Sequence, residues 1–166
     1  FRPATVCGYA PRLRLDLSVN ILTNHAFYKN KITVFGGDQL RPNLNIKDYC
    51  AAVHLLINSE KEKVKNETFN IGYENMSIID IAELVKKTFF ERYSKNIEII
   101  RTESNDNRSY HINSDKIKNA LGFTPEFSIK EAINSLLDAF EKKKVKNTFN
   151  DDIYHNVKRM QNLKVK

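Results

Sequence analysis

The chain has 166 residues, 41% hydrophobic and 28% charged, with a formal net charge of +7. That length suits one domain or a large part of one, and the composition suffices for a packed core rather than a disordered chain. Two distant cysteines, four scattered histidines and no apolar run of about 18 residues argue against a disulfide scaffold, a metal centre and a membrane span, and point to a cytoplasmic setting.

In chain order, "FRPATVCG" reads as a short buried strand stopped by Gly8, and "APRLRLD" as a basic loop. Residues 17–30, "LSVNILTNHAFYKN", read as a helix, and "KITVFGG" as a strand of β-branched residues closed by two glycines. "GGDQLRPNLNIKD" carries loop signals and leads into a helix. From Asp48, that helix places Tyr49, Ala52, Val53, Leu56 and Ile57 on one face. "ETFNIGY" is another strand.

Ser77 and Asp80 have the spacing of a capping box, with Met76 and Ile81 as its hydrophobic staple. The helix behind them aligns Ile78, Ile81, Ala82 and Val85. "NIEIIRT" is a further strand, and Leu121-Gly122 closes a short helix. Ser128 and Glu131 form a second capping box. The stripe behind it, Ile129, Ala132, Ile133, Leu136, Leu137 and Phe140, should dock on the body. Alternating strands and helices define an α/β class.

The charge is uneven: residues 141–166 hold eight Lys/Arg and three Asp/Glu, so most of the net charge lies in this tail. A solvated, partly frayed C-terminus explains that more simply than contact with nucleic acid, since no aromatic platform or nucleic-acid motif accompanies it. The sequence has no G-x-G-x-x-G and no P-loop. "YHNVK", Tyr154 to Lys158, has the Y-x-x-x-K spacing that on a helix lets a lysine lower a phenol pKa, but so short a match arises easily by chance.

The ordered set "FRPATVCGYAPRLRLD", "KITVFGGDQLRPNLNIKDYCAAVHLLI", "ETFNIG", "DNRSYHINSDKIKNALGFTPEFSIKEAI" resembles the C-terminal half of extended short-chain dehydrogenase/reductases acting on nucleotide sugars, the NAD-dependent epimerases and dehydratases. The resemblance implies late strands of a Rossmann-like domain plus a smaller α/β substrate-binding domain over residues 1–140, followed by the basic tail 141–166. In this family the Gly-rich NAD fingerprint and the catalytic Ser/Thr and Y-x-x-x-K lie before the strand that "FRPATVCG" matches. The implied protein is therefore a fragment or one half of a split enzyme. It would hold the nucleotide-sugar side of the site and be inactive alone, with a missing half on the same or a partner chain. A non-catalytic sugar-nucleotide binding module and a basic nucleic-acid-binding domain are the alternatives.

By the same resemblance, Arg41 would contact the substrate diphosphate, to which a guanidinium forks well; pairing with Asp38 or Asp48 is the structural alternative. Val34 and Phe35 would lie against the nucleotide base, or form core. Arg12 and Arg14 would stand at the substrate mouth, or on a solvated loop; Asn20, on the following helix, would hydrogen-bond a sugar or base, or face solvent. Asp106 and Arg108 match a "D-x-R" segment bordering the substrate. Pro3 and Ala4 would pass the nicotinamide of NAD, and Thr5 stands where relatives have a sugar-contacting Asn. Cys7, Pro42 and Asn45 depart from the family's frequent Tyr, Asp and His, and leave the base, the sugar and the choice between epimerisation, dehydration and decarboxylation open.

Overall fold

The computed structural model describes residues 1–104 and 108–164. The opening stretch is two strands, β1 (Arg2–Pro3) and β2 (Thr5–Cys7), separated at Ala4. Helix α1 (Ser18–Lys29) ends at Asn30 in the left-handed conformation. Strand β3 (Lys31–Phe35) follows, and the chain turns at Gly36 and Gly37, both with positive φ.

The next segment corrects the loop expectation: Leu40–Asn45 is a strand, β4. Pro42 hides it from a propensity reading, because proline lacks the amide that a ladder needs. Here the pairing with β2 begins only at Asn43, so Pro42 stands where that ladder has not started. Helix α2 (Ile46–Asn58) then starts two residues before Asp48, capped by the Asn45 side chain, which accepts from the Lys47 N–H. Tyr49, Ala52, Val53 and Leu56 face inward to different degrees, while Ile57 is exposed.

A short helix α3 (Lys61–Val64) leads to β5 (Asn70–Ile71), much shorter than "ETFNIGY" suggested, and β6 (Glu74–Ser77). Helix α4 (Ile78–Tyr93) begins at Ser77, whose side chain accepts from the Asp80 N–H. The Ser77 hydroxyl in turn donates to the Asp80 carboxylate at 2.6 Å. Strand β7 (Glu98–Thr102), helix α5 (Asp115–Leu121) and helix α6 (Ile129–Glu141) complete the body. Gly122 closes α5 with φ 73°, and Ser128 and Glu131 form the full capping box at the start of α6.

Among the described residues the strands form three small sheets. β1 pairs in parallel with β5; β4 lies between β2 (parallel) and β6 (antiparallel); β3 pairs in parallel with β7. Helices α1, α4 and α6 bury one cluster with β3, in which Val19, Ile32, Val34, Ile81, Val85, Ile133 and Leu137 are fully enclosed. A second cluster gathers Leu44, Ala52, Phe69, Ile71, Ile117 and Phe123 between α2, β5 and α5. Each such aliphatic or aromatic side chain contributes about 1.5–3 kcal/mol of burial.

Among the described residues the tail is docked rather than frayed. A third cluster joins Leu13 and Leu15 of the basic loop to Leu136, Ala139 and Phe140 of α6 and to Val145, with Tyr154 packed against it. Thr148 is buried, and Phe149 lies 5.8 Å from the His25 ring. A 3-10 turn at Asp152–Tyr154 then leads to a last helix, α7 (Asn156–Asn162). The apolar residues Val145 and Tyr154 drive this docking; the lysines that dominate the composition stay at the surface.

Candidate functional site

A cavity of about 730 Å³ opens between the β1–β2 stretch, the basic loop after Gly8, the start of α2 and residues 110–112. Gly8 makes the turn into the basic loop at φ 105°. A Cβ there would stand 3.2 Å from the Ile46 side chain and 3.3 Å from the Ser135 hydroxyl, so both conformation and space require glycine. The Gly8 N–H donates to Asn20 Oδ1 at 3.0 Å, and Asn20 Nδ2 donates to the Arg14 carbonyl at 2.8 Å. Asn20 is buried, and its amide serves as a brace between the strand end and the loop.

The far wall is built from the segment after Arg108. The Leu40 N–H donates to Ser109 Oγ at 2.9 Å, and Asn75 exchanges bonds with the backbone of Ile112 at 2.9 and 3.1 Å. These bonds lay the segment along β4 and β6 and turn Tyr110, His111 and Ile112 to the cavity.

Among the described residues the cavity wall holds two arginines, Arg12 and Arg14, one histidine, and no carboxylate. The Arg14 guanidinium pairs with Asp16 at 3.0 and 3.1 Å. Burial pushes the Asp16 carboxyl up, but Arg14 and the Asn156 N–H outweigh it and hold it below the usual carboxylate range. At the end of β2, burial pushes the Cys7 thiol up to about 12, with the nearby Glu74 carboxylate adding to it, so it is an unreactive core group.

Of the residues singled out in the sequence, the cavity collects Pro3, Ala4, Thr5, Arg12, Arg14 and Asn20. Arg41 does not line it. Its guanidinium donates to the Leu40 carbonyl at 2.9 Å and to the Arg108 carbonyl, and lies 5.3 Å over the ring of Tyr110, which does line it. Arg41 thus stands on a strand behind the rim rather than in a loop. The acids considered as its partners are engaged elsewhere. Asp38 pairs with Arg101, and the buried Asp48 carboxylate accepts the Glu126 and Phe127 N–H groups, each at 2.9 Å. Val34 is enclosed in the core and Phe35 is exposed on the other side of β3; neither borders the cavity. Arg108 is exposed, and Asp106 lies outside the described residues.

Sequence reading missed Tyr49, Tyr110 and His111 in the wall. The last two directly follow "DNRS", so the signal stood beside Arg108. The tail's Tyr154 and Lys158 do not share a helical face. Tyr154 ends the 3-10 turn, and His155, at φ −128° and ψ 96°, separates it from α7.

Residues 1–72 match the family model of the NAD dependent epimerase/dehydratase family. That match covers less than half of the chain. It is 25% identical over 141 residues to the dTDP-glucose 4,6-dehydratase 1 of Escherichia coli K12, covering 79% of this chain and 38% of that protein. A UDP-glucose 4-epimerase from Thermotoga maritima, solved with UDP-glucose, superposes with a TM-score of 0.68 at 25% identity, over 87% of this chain and 46% of that one. A UDP-glucuronic acid 4-epimerase from Bacillus cereus, in complex with UDP-glucuronic acid and NAD, gives a TM-score of 0.71 at 23% identity, over 86% and 44%. The α/β architecture is that of these epimerases, and the chain spans less than half the length of the relatives it matches.

Proposed function

We propose that this chain forms the nucleotide-sugar-binding side of an NAD-dependent sugar-nucleotide epimerase or dehydratase. The observation that carries this reading is the cavity wall, which among the described residues holds two arginines and no carboxylate, together with neutral polar groups (Thr5, Asn20, Asn70, His111) and apolar and aromatic side chains. Such a wall suits a ligand with an anionic diphosphate, a flat base and a sugar. Arg41, behind Tyr110, and Arg108 beside it add positive charge at the rim. The similarity to a UDP-glucose 4-epimerase solved with UDP-glucose and to dTDP-glucose 4,6-dehydratases supports this reading.

The dinucleotide fits these residues only in part. Pro3 and Ala4 stand in the cavity wall, where they can border a nicotinamide, but the sequence has no Gly-rich phosphate turn. In this reading the rest of the NAD cradle and the Tyr–Lys pair belong to sequence outside these 166 residues, on the same or a partner chain. The residues here bind and orient the sugar nucleotide and exclude water from it. A cytoplasmic setting fits two free cysteines.

The test is titration of UDP-glucose, dTDP-glucose and the free nucleosides into the chain with NAD in solution. Arg12→Ala should weaken sugar-nucleotide binding roughly ten- to a hundredfold, the equivalent of one charge-assisted contact of about 1.5–3 kcal/mol. Arg12→Lys should recover only part, because an ammonium lacks the planar fork. Nucleoside binding should change little. Equal weakening of both ligand classes, or of neither, would make Arg12 a structural charge.

A further inference from the structure

The loop that carries Arg12 and Arg14 is tied along its outer side to the tail. Arg12 Nη1 donates to the Ile153 carbonyl, 141 residues away, at 2.8 Å, and Nη2 donates to Asn156 Oδ1 at 2.8 Å. The Leu15 N–H donates to the Tyr154 carbonyl at 2.9 Å. The Asn156 N–H donates to Asp16 Oδ2 at 3.0 Å, and that carboxylate holds Arg14. One residue therefore touches both cavity arginines: Asn156 reaches Arg12 through its side chain and Arg14 through Asp16. A guanidinium presents five donors in a rigid plane, so fixing its outer edge fixes where the other edge points.

We propose that Asn156 is a positioning residue for the cavity, holding Arg12, and through Asp16 also Arg14, in the orientation that meets the anionic part of a ligand. The inference rests on the reading of that ligand as a sugar nucleotide. It gives the C-terminal segment a role in recognition: the tail is the rear support of the basic loop. The physical reason is entropic. An arginine in an unsupported loop loses several rotatable bonds on binding a phosphate, whereas one already held by two acceptors has lost them beforehand.

The experiment uses the full chain with UDP-glucose and uridine as probes, by calorimetry, with melting temperatures recorded alongside. Asn156→Ala removes the side-chain acceptor of Arg12 Nη2, leaving Nη1 on the Ile153 carbonyl, and keeps the backbone bond to Asp16. It should weaken UDP-glucose binding about three- to tenfold and uridine binding less than about twofold. Asn156→Asp, which keeps an acceptor oxygen, should restore UDP-glucose affinity. The double variant Arg12→Ala/Asn156→Ala should bind no more weakly than Arg12→Ala alone, since Asn156 acts through that guanidinium. If Asn156→Ala does not fold, Asn156→Gln, whose carbonyl is displaced by one methylene, replaces it with the same expected pattern. Unchanged or tighter UDP-glucose binding in Asn156→Ala, equal losses for both probes, or additivity in the double variant would each overturn the positioning role. Failure of the wild-type chain to bind UDP-glucose would instead overturn the sugar-nucleotide reading, and this inference with it.

Discussion

Asp16 holds Arg14 through both carboxylate oxygens and accepts the Asn156 N–H on one of them, so a single ionised group joins the loop to the tail. Its carboxyl lies below the ordinary value in the folded chain. A depressed carboxylate stabilises the fold above its unfolded pKa of about 3.9, and that contribution is lost as pH falls through the folded value. Acid should therefore loosen the loop–tail junction below about pH 4. By NMR, the Asn156 amide should titrate with an apparent pKa below 3.8, and Asp16→Asn should abolish the titration; an apparent pKa at or above that value would show that the junction does not favour the ionised form. Legibility at this scale divides by sequence separation. Thr5, Arg12 and Arg14 could be placed near the cavity because they sit in one contiguous stretch with a recognisable order. That Asn20 braces the loop, or that Arg12 faces residues 153 and 156, could not be read, since partners this distant leave no local pattern.

At the level of elements, the amphipathic helices and the β-branched strands β3 and β7 were plain in the sequence, and the shorter strands were not. The stripe on α6 is wholly buried, and its capping box is present in full, because a 3.6-residue period and an N-terminal cap are local signals. β4 was hidden by Pro42 and the two glycines before it, and the strand expected at the start of the chain splits at Ala4 because its two parts pair with different partners. What seats α6 was also hidden. Its N-terminal approach is held by two acids from elsewhere: Glu74 accepts the Ile129 N–H at 2.6 Å, and Asp48 accepts the Glu126 and Phe127 N–H groups. Asp48 is 2% exposed, so water cannot replace it. In Asp48→Asn one oxygen becomes an NH₂ that faces a backbone donor, which leaves a buried group unsatisfied. The expected loss is about 1–3 kcal/mol, read as a lower urea midpoint with unchanged m-value. Ser128→Ala in the exposed half of the same junction should cost about 1 kcal/mol. An Asp48→Asn midpoint equal to wild type would show that the approach to α6 is held by packing alone.

For the whole molecule, composition misleads about the tail. Eight basic residues in 141–166 suggest a solvated extension, yet the segment contributes Val145, Thr148 and Tyr154 to buried or packed positions and ring contacts from Phe149 to His25 and Tyr28. Charge counts report what faces solvent; a few apolar residues among the charges decide where the chain lies. The covered surface belongs to Leu13, Leu15, Leu136 and Phe140, so the tail closes a cluster that the basic loop and α6 cannot close between them. Truncation after Lys143 should therefore act on stability as well as on the cavity. Losing the burial of Val145 and the packing of Tyr154, at about 1.5–3 kcal/mol for a fully buried side chain, should destabilise the chain by roughly 3 kcal/mol or more. The hydrogen bonds from Leu15 and Arg12 to residues 153–156 are lost as well. Thermal unfolding followed by circular dichroism measures the first effect, and amide exchange across residues 9–17 the second. A frayed tail would leave both the melting temperature and the loop's exchange unchanged. A docked tail lowers the first and raises the second, with the exchange increase concentrated at Leu15, whose N–H loses its acceptor, rather than at residues 129–141, whose N-terminal anchors on Glu74 and Asp48 remain.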